Sequence, residues 1–360
     1  MTRPETIERI RRDDPRTGAA ILQLTSFPLT HWLVGCSGDG ITLDGKTLLL
    51  FENSDPTRSS RRDLYRVNSD GSGLLLLARN ASGGVVSVDG RFAYTGRGGS
   101  LVRIPLGGGD EEELARLPGY TQAHVSARDR IGRFLFGQWR REDGTFDVLR
   151  FDLSDGRAYQ VCRASYVMPV QVHGVNGDRV LASILPVGHE GKPRMTWGYW
   201  SFSFDGEDFR PIPFSRSNNH YVGLGGSDEV VTCTPHPARA LEVAAPGDSQ
   251  ARVLATGAGF WHVAADASGE WLVCDTNWAD VGLQLVHRPT GCFRTLCHTA
   301  ASGGHPQWTH AHPCLAPNAD YVLFTSDRTG YAQVYLCPIP DALKEELRQA
   351  AQPSRPVPPV

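Results

Sequence analysis

The sequence predicts an all-β chain: a seven-bladed β-propeller with an N-terminal strand closing the last blade. Three observations predict it: a turn-plus-strand unit occurring seven times at nearly constant spacing, a composition rich in turn formers, and an isolated strand pattern ahead of the first unit. The 360 residues include 39 Gly and 24 Pro with 40% hydrophobic residues. That mixture suits many short strands and tight turns, and excludes a helical bundle or a disordered chain.

The units come in order. A two-residue turn feeds a short apolar strand at Asp44-Gly45, Asp89-Gly90, Ile131-Gly132, Asn176-Gly177, Gly226-Ser227, Ser268-Gly269 and Asn318-Ala319. Successive turns are 45, 42, 45, 50, 42 and 50 residues apart, the length of a propeller blade. A second strand follows in each unit, beginning at Asp63, Leu101, Asp147, Gly198, Leu241, Leu283 and Gln333. Each unit therefore reads as an antiparallel meander, which buries both faces only when neighbours stack around an axis. An open ring would leave two bare sheet edges. Ala20 to Thr25 reads as the strand that supplies the outer edge of the last blade, because Asp341 to Ala350 is helix-like. Residues after Gln352 are Pro-rich and expected to be disordered, and with no linker in sight residues 1–360 are expected to form a single propeller domain.

Charge and targeting signals narrow the function. With 36 Lys+Arg against 39 Asp+Glu, the net charge of -3 excludes a polybasic nucleic-acid binder. The charged N-terminus has no apolar signal core and no apolar run can span a bilayer, so no membrane is expected and the cytoplasm is the expected location. Eight Cys without any C-x-x-C read as small buried apolar groups. Gly35 to Asp39 fails the G-x-S-x-G elbow, and the Gly clusters at 96–100 and 107–109 lack a phosphate-loop Lys, so serine hydrolase and nucleotide-binding readings fall away. Arg58, Arg61, Arg62, Arg140 and Arg141 read as solvated loop charges.

The histidines carry the chemistry. Seven residues before the second turn residue of each unit stand Gly38, Gly83, Val125, Val170, His220, His262 and His312. This position should lie on the innermost strand, so equivalent residues converge on the central channel. Strand alternation would point His310 and His312 to one face with Ala311 turned away, and Gln307 lies just upstream. Three imidazoles and an amide oxygen at one patch suit a divalent metal. His124 and His173 sit near the register, whereas His31, His236, His287 and His298 read as surface or structural.

At this point the chain resembles the oligogalacturonate lyases, seven-bladed propellers that cleave short pectic fragments by metal-assisted β-elimination. His305-Pro-Gln-Trp-Thr-His-Ala-His-Pro313 carries the family's Q-x-x-H-x-H motif, and Ala316 to Gly330 resembles the segment that follows it. Further matches are His189-Glu-Gly191, Trp200 to Gly206 and Gln23-Leu-Thr25. The resemblance implies that Gln307, His310, His312 and His262 bind a divalent metal, manganese by family, and that His220 is the base. Tyr221-Val-Gly follows His220 where the family has Glu and then Trp, and Gly198 stands where it carries an Arg. Arg194 is the nearest replacement for that charge, and His124, His173 and His189 are expected to contact an acidic oligosaccharide substrate. The chemistry implied is neutralisation of a uronate carboxylate by the metal, removal of the C5 proton by a neutral His near its ordinary pKa, and loss of the C4 oxygen. Two other classes share the architecture: a lyase for a different uronic-acid glycan, and a non-catalytic sugar- or protein-binding propeller.

Overall fold

The computed structural model describes residues 10–26, 29–35, 38–53, 62–187, 198–214, 220–276, 278, 280–304 and 306–350. The described residues are all-β apart from a 3-10 turn, Gln307–Thr309, and one helix, Asp341–Gln349. The expectations for His189, Arg194, Cys36 and the Pro-rich tail fall outside the described residues.

Antiparallel meanders follow one another along the chain. The first runs Thr30–Leu33, Thr47–Asn53, Asp63–Asn68, Leu75–Ala78; the second opens at Ser82–Val86, the third at Tyr120–Arg128, the fourth at Gln171–His173, the fifth at Tyr221–Gly223 and the sixth at Val263–Ala265. The last comprises Cys314–Leu315, Tyr321–Ser326 and Gln333–Pro338. The repeated turns have a common cause. Asp44 accepts hydrogen bonds from the Thr42 hydroxyl (2.6 Å) and the Lys46 amide (3.0 Å), and Asp89 does the same for Ser87 (2.6 Å) and Arg91 (3.1 Å). Such side-chain-to-backbone bonds set up the turn before the strand forms. The turn residue at the left-handed position is Gly45, Gly90, Gly132, Gly177, Gly226 and Gly269, and in the last meander Ala319 (φ 55).

The sheets are not the equal four-stranded units that the spacing predicts. Pairing joins the second, third and fourth meanders into one twelve-stranded sheet, the first, fifth and sixth remain four-stranded, and the last has five strands. Two local features account for the fusion. Gly83 (φ 74) forms a parallel bridge with Val125, an approach so close that a Cβ on Gly83 would stand 1.9 Å from the Val125 carbonyl oxygen. Arg157–Val167, 11 residues long, overruns its own meander and pairs with Arg179–Pro186.

The N-terminal strand pairs as expected: Ala20–Gln23 lies antiparallel to Gln333–Pro338, with Leu22 opposite Leu336 and Gln23 opposite Tyr335. Ile10–Asp13 then adds a further, unforeseen strand on its outer side. Buried Ile21 joins Phe324 and Tyr335 from the last sheet and Trp271 and Leu283 from the sixth in one apolar cluster. The Thr25 hydroxyl donates to Gln333 Oε1 (2.6 Å). His31, fully buried, lies 3.2 Å from the same oxygen and 3.1 Å from Glu52, so the seam is tied to the first meander through polar groups. The helix packs on strands of the sixth meander, burying Leu347.

A second tie is electrostatic. Buried Asp14 accepts from the Thr17 hydroxyl (2.7 Å) and from the backbone amide (2.8 Å) and Nδ1 (3.0 Å) of His298, which follows the sixth meander. Burial alone would raise its pKa, but these donors outweigh it and hold the carboxyl down at about 2. A carboxyl depressed in the fold stabilises the native state above its unfolded pKa and loses that contribution as pH falls through the folded one. Stability is therefore expected to decline between about pH 4 and pH 2. In Asp14→Ala this acid limb should flatten, with a loss of about 1–3 kcal/mol at neutral pH, both readable from urea midpoints across the pH range.

Candidate metal centre and active site

The opening strands of successive meanders border a cavity of 440 Å³, within the usual ~300–1000 Å³ of small-molecule sites. Five of the seven register positions, Val125, Val170, His220, His262 and His312, line it. On the remaining side the lining residues are Gly35, Gly40 and Gly84, near the register glycines. Among the described residues no Asp or Glu lines the cavity, and Arg62 is the one Arg or Lys that does.

The registered histidines sit just outside the strands they were expected to occupy. His220 and His262 immediately precede Tyr221–Gly223 and Val263–Ala265, and His312 stands two residues before Cys314–Leu315. His310 follows the 3-10 turn with extended backbone, and His312 adopts φ 40, the left-handed region that costs a non-Gly side chain energy. That kink, and not strand alternation, turns both rings the same way: they stack at 5.5 Å with an interplanar angle of 17°. The His262 ring lies 4.2 Å from His312 and 5.7 Å from His310, and ligand nitrogens of the three fall within 4.8 Å of one another.

Hydrogen bonds fix which nitrogens face inward. His262 Nδ1 lies 2.7 Å from an Asp275 carboxylate oxygen while its backbone amide donates to the other at 3.0 Å. The proton therefore resides on Nδ1, and Nε2, buried with no hydrogen-bond partner, presents a lone pair. A carboxylate behind an imidazole in this way is the arrangement found behind metal-bound histidines. His310 Nε2 bonds the Gly304 carbonyl at 2.8 Å; a carbonyl only accepts, so Nδ1 is its lone-pair atom. Burial, with the neighbouring His262, pushes His312 down to about 3, so its imidazole stays neutral and able to donate electrons. The exposed Gln307, on the 3-10 turn, lines the same cavity. The donor set of three imidazoles and an amide fits a borderline divalent cation.

His220 stands beside this cluster, its ring 4.1 Å from His262. Nδ1 donates to the Trp261 carbonyl at 2.7 Å, which leaves Nε2 as the basic nitrogen. The expectation of an ordinary imidazole pKa needs correction: burial and His262 push His220 to about 3. The group is thus neutral at physiological pH and ready to accept a proton, at the cost of basicity.

The remaining assignments divide. His124 lines the cavity, 3.1 Å from the Ser82 hydroxyl. His173 does not: it is buried at the end of Gln171–His173 with Nε2 on the Ser201 hydroxyl (2.8 Å), a structural contact within its own meander. His189 and Arg194 lie outside the described residues. Two groups escaped the sequence reading. Asp275 directly follows the strand that pairs with the His262 hairpin, Val263 opposite Cys274, so hairpin register alone would have located it. Arg62, read as a solvated loop charge, is half-buried and lines the cavity.

With this geometry in view, solved structures supply the comparison. An oligogalacturonate lyase from Vibrio parahaemolyticus superposes with a TM-score of 0.75 at 17% identity, covering 95% of this chain and 99% of that one. An oligogalacturonate lyase in complex with manganese superposes at 0.78 with 19% identity over 96% and 99%. The chain has the oligogalacturonate lyase fold. Neither a protein-family model nor a curated protein matches the sequence. The likeness to the oligogalacturonate lyases therefore resides in the backbone architecture.

Proposed function

We propose that this chain is a metal-dependent lyase that cleaves short uronate-containing oligosaccharides by β-elimination, on a single-domain seven-bladed propeller closed by Ala20–Gln23. One observation carries the reading: the lone-pair cluster of His262, His310 and His312, backed by Asp275, on a cavity that His220 also lines, its ring 4.1 Å from that of His262. Gln307 completes the ligand set in this proposal. When bound there, a divalent cation, manganese in our reading because a lyase of this fold was solved with it, supplies Lewis-acid neutralisation of a uronate carboxylate. His220 Nε2 takes the C5 proton; the C5–H electron pair becomes the C4=C5 double bond, and the C4–O bond breaks to release the departing sugar as an alkoxide that takes its proton from water. Among the described residues no Asp or Glu lines the cavity, which favours an anionic ligand, since a lining carboxylate would repel it. His124 contacts the substrate from the opposite wall, and His189 and Arg194 enter on the resemblance alone.

The test is to incubate the protein and Mn²⁺ with a panel of short uronate oligosaccharides and record the ultraviolet absorbance of the new double bond. Absorbance growing with galacturonate oligomers supports the reading. Growth only with another uronate moves the substrate to a different glycan, and none with any member of the panel leaves a binding propeller.

A further inference from the structure

His220 has a support that stands behind the cavity wall. Arg239 lies between Val230–Cys233 and Leu241–Ala244 and does not line the cavity. Its φ of 40 is left-handed, which costs a non-Gly residue energy, and its buried Nε has no hydrogen-bond partner among the described residues. Two such costs at one residue point to a task other than stability. The guanidinium carbon lies 5.0 Å from the Trp261 ring centroid and 4.3 Å from that of Trp278, a cation held between two indoles. Nη1 donates to the Thr276 carbonyl (3.3 Å), and the Arg239 carbonyl accepts from the Phe260 amide (3.0 Å). Arg239 therefore ties Phe260 and Trp261 on one side to Thr276 and Trp278 on the other.

Trp261 is where that hold matters. Its amide donates to the Asp275 carbonyl (2.9 Å), its indole meets Arg239, and its own carbonyl accepts from His220 Nδ1 (2.7 Å). That carbonyl keeps the proton on Nδ1 and so leaves Nε2 as the basic atom. A Trp261 peptide that tilted away would release Nδ1 and let the ring rotate or change tautomer, and reacting groups tolerate little misplacement. His262 is held separately, by the Asp275 carboxylate, so loosening Trp261 does not by itself free the metal ligand.

We infer that Arg239 is a positioning residue for His220: clamped between Trp261 and Trp278, it fixes the Trp261 carbonyl that orients the imidazole. This rests on the proposed function, which makes His220 the base. Arg239 acts through Trp261 and takes no part in proton transfer.

The test compares the wild type with Arg239→Met, which keeps apolar bulk between the indoles but loses the guanidinium, and with Arg239→Lys, which keeps the cation but loses the planar fork. ¹⁵N spectra of the histidine side chains, recorded with diamagnetic Zn²⁺ present and with His220→Ala to identify the resonance, should show one Nδ1–H tautomer at His220 in the wild type. Arg239→Met should show a mixture of tautomers, and Arg239→Lys a smaller change in the same direction. With Mn²⁺ and an oligosaccharide that the wild type cleaves, Arg239→Met should lower kcat about 10- to 100-fold, with KM and metal content unchanged. In the His220→Ala background the same substitution should lower kcat no further, because effects that pass through one residue do not add. An unchanged tautomer, an equal loss of kcat in both backgrounds, loss of metal, or failure of both variants to fold overturns the inference. A tautomer change in a protein whose wild type cleaves no uronate would keep Arg239 in its role and reject the lyase.

Discussion

Joint replacement of His310 and His312 by Ala is expected to abolish metal binding and, with it, any elimination activity. The wild type should retain about one divalent cation per chain, measured by elemental analysis, whereas the double variant should retain almost none. The reasoning is that these two imidazoles supply adjacent donors whose lone pairs are held inward by the Gly304 carbonyl and by the left-handed kink at His312, so one remaining imidazole and an amide cannot compensate. Asp275→Asn provides a graded companion. An amide can donate to His262 Nδ1 and let the tautomer flip, and loss of an outer partner of this kind typically costs 10- to 100-fold in metal affinity. Full metal content in the double variant would show that the site lies elsewhere.

The second large effect is kinetic. His220→Ala should preserve the metal and lower turnover on an active oligosaccharide by about 10²- to 10⁴-fold, the usual contribution of a general base. Retention of metal is the discriminating measurement, because the His220 ring is as close to His262 as His312 is. If metal is lost as well, His220 is a ligand. If activity stays whole with metal bound, the base must be sought elsewhere on the cavity wall.

The periodicity that located the turns also picked out residues that border one cavity. Val125, Val170, His220, His262 and His312 reach the cavity on spacing alone. What spacing could not supply is local backbone geometry. His310 and His312 share a face through a 3-10 turn and a positive φ, features with no two-residue period. The electrostatics were equally hidden: an imidazole's pKa depends on how much water and which charges surround it, and spacing does not report the desolvation and the neighbouring His262 that lower His220. Arg62 was misread because an arginine next to Arg61 looks like surface charge until Trp32 and Phe51 are seen to support it. His173 differs in the opposite sense: it stands near the register yet is not among the residues lining the cavity, and its ring lies against Ser201. Fusion of three meanders into one sheet likewise depends on a close approach at Gly83 that hydropathy does not encode.

The pairing of Ala20–Gln23 with Gln333–Pro338 also sets a timetable for biosynthesis. Thr25 and Gln333, which meet at this seam, are separated by 308 residues. At about 5–20 residues per second, a ribosome needs roughly 15–60 s to make the intervening chain. Throughout that interval Ala20–Gln23 has been synthesised together with Ile10–Asp13 on its outer side, but its inner partner Gln333–Pro338 has not. The meanders between can form as they emerge, since their contacts are local, but the last sheet must wait for both ends of the message to be translated. Quality control at this protein is thus concentrated on one late event: a chain stalled before residue 333 carries an unmatched strand edge at its front, the kind of surface that chaperones shield and other nascent chains can capture.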